Sequence, residues 1–202
     1  MPDVRFLLWD FGDTLVDERF LWICPTGVPG WRDCYRELAT GELGSRWNCG
    51  TARFDELAAA MSARLGMSTA AVIAHAQRCS ARIRFFEHAW VAARAHALPQ
   101  ALVTVNPHEF RDWIVPNYGL TDHFDAIVVS AEQGTESKAE LCNAAVKVLG
   151  CDDPAQALLL DNIEGNVDAW RSRGGSAYWF RGDAEFASRF ESGGWNGLAA
   201  HS

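Results

Sequence analysis

The stretch "FLLWDFGDTLVDE" (residues 6–18) sets two carboxylates, Asp10 and Asp13, with Gly12 between them, directly behind an apolar run. The run has no alternation, which predicts a parallel strand covered on both faces. A carboxylate buried there without a partner would be costly. Asp10 is therefore expected at the open end of the strand, where it can do chemistry. Further apolar runs follow the same plan: "ALVTVN" (101–106), "AIVVS" (126–130), "ALLLDN" (157–162) and a weaker "SAYWFRG" (176–182), with the first read as "VRFLLWD" (4–10). Helical spacing lies between them, at roughly 107–117, 138–149, 164–173 and 184–191. Strand and helix in alternation predict an α/β fold, a doubly wound parallel sheet.

Residues 16–98 break that rhythm. "FDELAAAMSARLG" (54–66) and "STAAVIAHAQRCSARIRFFEHAWVAARAH" (68–96) are alanine-rich, with apolar residues three and four apart, and read as helices. Ser68 is the expected N-cap of the second. "WICPTGVPGW" (22–31) reads as a Pro/Gly-punctuated loop. The expected organisation is a core of residues 1–15 and 99–202 with a helical cap, 16–98, inserted over the carboxyl ends of the strands, where open α/β sheets bind ligands. The tail "ESGGWNGLAAHS" (191–202) is expected to fray.

The bulk properties narrow the partners. The 202 residues suffice for one sizeable core plus a subdomain. A net charge of −8 argues against nucleic acid or an anionic membrane as ligand, since either calls for basic surface. No stretch approaches the ~20 apolar residues of a membrane helix. The apolar run near residue 1 is too short for a signal peptide and meets Asp10 at once. Six cysteines match no zinc spacing and form no CxxC pair. Reduced thiols in a cytoplasmic protein are the expectation.

Polar residues close several strands: Asp10, Thr104, and Asp161 with Asn162, while Lys138 opens the helix after the third run. Each has a plain alternative: Thr104 a β-branched strand residue, Lys138 a solvated charge, Asp161 a helix cap. In their order and spacing they resemble the haloacid dehalogenase-like (HAD) hydrolase superfamily. "WDFGDTLVDE" is similar to its first motif, DxDGTL, through Asp10, Thr14 and Leu15. "LVTVNPHEFRDWIVPNYGLTDHFD" is similar to the second, with Thr104 in the motif position and Asn106 displaced by one. "ESKAELCNAAVKVLG" supplies the lysine of the third, and "LLLDNIEGNVDAW" the acidic strand end of the fourth.

The resemblance implies a Rossmann-like, doubly wound parallel sheet with an inserted α-helical cap. It further implies a phosphatase-type hydrolase in which Asp10 is the nucleophile, forming a covalent aspartyl intermediate. Mg²⁺ would be held by the Asp10 carboxylate, the Gly12 carbonyl, and Asp161 or Asn162. Lys138 would balance charge, and Thr104 would donate to a phosphoryl oxygen. Gly12, Asp13, Thr104 and Asn106 form the expected surround of a small phosphorylated or otherwise anionic substrate.

Two departures qualify this. Family phosphatases carry an aspartate two residues after the nucleophile as acid and base; Gly12 stands there. Such catalysis contributes about 10² to 10⁴ in rate, so its loss predicts preference for aryl or acyl over alkyl phosphates. Asp13 follows one position later, with its carboxylate expected to point elsewhere. Asn162 replaces the second acid of the fourth motif, which removes a charge and predicts weak Mg²⁺ binding. Two alternatives stay open: a non-catalytic ligand- or protein-binding relative, and hydrolysis at carbon of the haloacid dehalogenase type. Against the latter stands Cys142, near the place of an expected tyrosine. Trp22 and Trp31 are candidates to line the pocket or to pack the cap. Trp90, Trp113 and Trp170 are read as core. His108 is either near the site or at the surface of a helix start.

Overall fold

The computed structural model describes residues 3–19 and 23–200. Its first half contains β1 (Phe6–Trp9), β2 (Val16–Asp17), α1 (Trp31–Ala39), α2 (Glu42–Asn48), α3 (Phe54–Leu65), α4 (Thr69–Ser80), β3 (Arg84–Phe85) and α5 (Glu87–Arg94). The second half continues with β4 (Gln100–Thr104), a π-helical segment (Phe110–Ile114) running into α6 (Val115–Tyr118), β5 (Ala126–Val129) and α7 (Ser130–Gln133). It ends with α8 (Lys138–Val148), β6 (Ala157–Asp161), α9 (Glu164–Arg171), β7 (Ser176–Trp179) and α10 (Asp183–Ala200).

Five strands form one parallel sheet in the order β5-β4-β1-β6-β7. The apolar runs explain why. Successive side chains of a strand leave opposite faces, and both faces here are covered. Leu8, Ala101, Val103 and Leu159 pack with Leu141, Ala145, Val167 and Trp170 of α8 and α9. Leu7, Trp9, Leu102 and Leu160 pack on the other face with Ala89 and Ala93 of α5 and Phe186 and Leu198 of α10. The chain leaves β1 towards β4 on one side and later returns to β6 on the other, so the direction of winding reverses beside β1. Crevices at such switch points are where open α/β sheets take ligands.

Between β1 and β4, helices α1 to α4 make a separate apolar cluster of Trp31, Trp47, Phe54, Leu57, Met61 and Val72. Phe54, Leu57, Ala58 and Met61 are one stripe of α3. Ser68 caps α4 as expected, its side chain accepting from Ala71 N at 3.2 Å.

Two expectations fail. The run 68–96 is not continuous helix: α4 stops at Ser80, and Arg84–Phe85 pairs antiparallel with Val16–Asp17. Phe86 N then donates to Leu15 O at 2.9 Å. The β-branched and aromatic "IRFF" has a strand waiting for it, and pairing overrides helical spacing. The described part of the tail, residues 191–200, does not fray. Helix α10 runs to Ala200, turning at Gly194 (φ 56°) so that Leu198 is fully buried and Trp195 packs on Trp9 with ring centroids 5.8 Å apart.

Candidate functional site

The strand register gathers the polar residues at one end of the sheet. Trp9 lies opposite Leu102 of β4 and Leu160 of β6, so Asp10 emerges between the ends of both neighbours. Its N–H donates to Leu160 O at 2.9 Å. Lys138, the first residue of α8, reaches in from across the sheet. Its Nζ donates to Asp10 Oδ1 at 2.5 Å and Val103 O at 2.9 Å, and lies 3.2 Å from Asp161 Oδ2. Asp161 is otherwise tied to its own chain: Oδ1 accepts from Ile163 N at 2.8 Å, and both oxygens accept from Asn166 Nδ2 at 3.1 Å. Asp161 therefore shapes the approach to α9 and also serves as a counter-charge. Thr14 Oγ1 lies 3.4 Å from Asp10 Oδ2 and 3.5 Å from Asn162 Oδ1, and accepts from Asn162 N at 3.1 Å.

Lys138, Asp10 and Asp161 are all buried, so their charges depend on one another. Burial opposes the charge of Lys138, but the Asp10 and Asp161 carboxylates outweigh it and hold the ammonium above its ordinary range. Burial pushes Asp10 up to about 6 against the pull of Lys138, with Asp161 adding to the rise. Asp10 thus remains mostly a carboxylate at neutral pH, with 10% of its side-chain surface open. Cys142, one turn along α8, is fully buried, and burial pushes its thiol up to about 12. It has no reactive thiolate to offer.

No protein-family model and no curated protein matches the sequence. Solved structures do match. The HAD family enzyme BT-2542 of Bacteroides thetaiotaomicron superposes with a TM-score of 0.71 at 16% identity, over 93% of this chain and 98% of that one. The chain has the HAD-like fold. L-2-haloacid dehalogenase of Xanthobacter autotrophicus matches at TM-score 0.66 and 20% identity, over 94% of this chain and 83% of that one.

Within this HAD-like fold the remaining sequence candidates separate. Thr104 is buried at the end of β4, and its Oγ1 accepts from Asn106 Nδ2 at 2.7 Å, which leaves its own hydrogen available to another acceptor. Asp13 sits in the left-handed region (φ 49°), which Asp tolerates better than most residues. Its Oδ1 accepts from Glu18 N at 3.1 Å, so the carboxylate holds the turn. Trp31 is buried in the α1–α4 cluster against His75, with ring centroids 4.6 Å apart. Trp170 is fully buried core, and Trp90 packs half-buried against the main cluster. Trp22 lies outside the described residues.

A cavity of about 240 Å³ lies between the inserted helices and the strand ends, lined by Glu18, Tyr35, Trp47, Phe54, Asn106 and Trp113 among others. Glu18, Glu109 and Trp113 were not picked out as site residues by sequence. Glu109, buried at the entry to the π segment, accepts from Trp47 Nε1 at 2.7 Å and Phe54 N at 3.1 Å. It pins α2 and α3 to the core, beside a segment type that recurs at functional sites. Solvent reaches Glu18 through the cleft, yet crowding by protein there, together with the Asp10 and Asp13 charges, pushes its carboxyl up to about 7.

The donor set can be tested against a magnesium ion. Among the described residues, no three His, Cys, Asp or Glu side chains cluster to hold a metal by themselves. Mg²⁺ asks for less: hard oxygens from one or two residues, with waters completing the shell. The Asp10 and Asn162 side-chain oxygens converge on Thr14 and are of that kind. The residues present fit a lightly charged magnesium site.

Proposed function

We propose that the chain is a Mg²⁺-assisted hydrolase of small phosphorylated substrates with Asp10 as its nucleophile. The observation that carries this is the ion cluster at the switch point: a carboxylate at a strand end, partly open, held by a lysine that a second carboxylate keeps charged. An isolated carboxylate repels a phosphate dianion, and fixed cationic charge beside it removes that repulsion. Lys138 supplies that charge and, through its bond to Oδ1, fixes the orientation of the Asp10 carboxylate. Thr104 donates its free hydrogen to a phosphoryl oxygen, and Asn106 holds the Thr104 hydroxyl in that orientation. Asp161 keeps Lys138 in place. Asp10, Asn162 and the Gly12 carbonyl would hold magnesium, which when bound neutralises the nucleophile and phosphoryl oxygens together. Residues 16–98 act as the cap, and the aromatic walls of the cavity give the substrate an apolar body next to its phosphate.

Two findings favour a second reading, attack of Asp10 on carbon: the missing carboxylate at position 12, and the likeness to a haloacid dehalogenase. The deciding experiment measures phosphate release from a panel of phosphorylated metabolites with Mg²⁺ and with EDTA, alongside halide release from 2-chloropropionate. Phosphate release that needs Mg²⁺ and disappears in Asp10→Asn supports the phosphatase. Metal-independent halide release supports the dehalogenase and refutes it. Asn162→Asp restores a charge to the site and is expected to tighten Mg²⁺ about fivefold or more by calorimetric titration, since a charged ligand at close range is worth about 1 kcal/mol or more.

A further inference from the structure

We propose that Glu18 supplies the acid/base carboxylate that position 12 lacks, delivering it from the end of the β2 turn into the space a longer side chain at 12 would fill. This rests on Asp10 being the nucleophile of a phosphatase.

The geometry is specific. A Cβ built on Gly12 would lie 2.7 Å from the Glu18 carboxyl carbon and 2.7 and 2.8 Å from its two oxygens. Glycine at position 12 and the Glu18 carboxylate are therefore complementary: the absence of a side chain at one makes room for the other. The turn that brings Glu18 back is well fixed. Leu15 N and Val16 N both donate to Phe11 O, at 2.9 and 3.1 Å, and Asp13 N donates to Val16 O at 2.8 Å. Asp13 Oδ1 then holds the N–H of Glu18 itself, and β2 is anchored by its pairing with β3. The side chain lines the cavity. Among the described residues its carboxylate accepts no hydrogen bond and joins no ion pair, unlike Asp10 and Asp161, so it is uncommitted.

Asp10 attacks phosphorus and the bond to the leaving oxygen breaks, while the Glu18 carboxylic acid gives that oxygen its proton. Glu18, now a carboxylate, takes a proton from a water whose oxygen attacks the phosphorus. The bond to Asp10 breaks, releasing inorganic phosphate with Glu18 protonated again. With such an acid present, alkyl phosphates become competent substrates, contrary to what Gly12 alone suggests.

The test is a swap read on two leaving groups. In Glu18→Gln, first-turnover release of the alcohol from an alkyl phosphate is expected to slow by about 10² or more, and of p-nitrophenol from p-nitrophenyl phosphate by less than tenfold, because a good leaving group needs no proton. The later hydrolysis of the aspartyl phosphate slows alike for both. Gly12→Asp combined with Glu18→Ala moves the carboxylate back to position 12 and is expected to regain alkyl phosphate turnover to within about tenfold of wild type. A readout apart from turnover is a crystal structure with Mg²⁺ and orthovanadate, in which a Glu18 oxygen is expected within hydrogen-bond distance of the oxygen opposite Asp10. Equal slowing of leaving-group release from both substrates, no slowing, or a Glu18 turned away from the vanadate overturns the assignment while leaving Asp10 chemistry intact. A wild-type protein that releases phosphate from neither substrate overturns Asp10 chemistry and this assignment together.

Discussion

Lys138 is the residue on which the site's stability turns. It is buried between two carboxylates, and removing it leaves Asp10 and Asp161 facing each other without a cation. Breaking a buried ion pair from one side costs about 3–5 kcal/mol, so Lys138→Ala is expected to lose that much in urea denaturation. Asp10→Asn should differ from wild type by no more than about 1 kcal/mol, because Lys138 keeps Asp161 as partner. Equal losses in the two variants would show that the lysine is not the hub. Asp10, Lys138 and Asp161 were legible in the sequence because each stands at a sharp boundary between apolar run and polar turn. Glu18 was not, since it lies six positions beyond Gly12 and only the folded turn shows that they share one volume. Glu109 was equally silent: a lone acid on a helix has no signature until Trp47 and Phe54 arrive from the insertion.

Among the elements, α5 depends on a residue outside it. The Asp183 carboxylate accepts from His88 N at 3.1 Å and Ala89 N at 2.9 Å, in the first turn of α5, and from His88 Nδ1 at 2.9 Å. Burial pushes Asp183 up, but those N–H groups outweigh it and hold its pKa below the usual 3.8. The hydrogen bond to Asp183 raises His88 above 6.5. The lowered acid gives stability above pH ~4 that is lost as pH falls through its folded pKa; the raised histidine gives stability below pH ~6.5 that is lost as pH rises through its own. Asp183→Ala is therefore expected to cost about 1–2 kcal/mol, most near pH 5 and less towards pH 3 and pH 9, by thermal melts across that range. A pH-independent deficit would contradict the cap. The sheet strands, α8 and α9 were legible because long apolar runs and helical spacing agree with their burial. Helix α1 does carry helical spacing, Trp31, Cys34, Tyr35 and Leu38, but over only nine residues behind a Pro/Gly-rich loop, and α2 buries only Gly44 and Trp47. The break at 81–86 and the docked tail depend on partners distant in sequence, β2 and Trp9, which local spacing does not show.

Across the whole molecule, buried polar links join the insertion to the core, among them Glu109 to Trp47 and Phe54 and the Ser130 hydroxyl to Asn48 O at 2.7 Å, and the cavity lies between the two. Glu109→Ala would leave the N–H groups of Trp47 and Phe54 without their acceptor, at a cost of about 2–4 kcal/mol, and loosen α2 and α3 over the strand ends. Its KM for the substrate should rise more than its kcat falls, because the link holds the cavity wall and not the nucleophile. A fall in kcat alone would place Glu109 in the chemistry instead. The parallel sheet wound about β1 explains how one carboxylate, one lysine and a cavity come together without any of them being adjacent in sequence. The most direct measurement traps the covalent intermediate: the protein is incubated with acetyl phosphate and Mg²⁺, quenched, reduced with borohydride, and the peptide carrying residue 10 is weighed. Reduction of Asp10 to homoserine, absent when Mg²⁺ or acetyl phosphate is left out, is the expected result. An unmodified Asp10, with phosphate release persisting in Asp10→Asn, would contradict it.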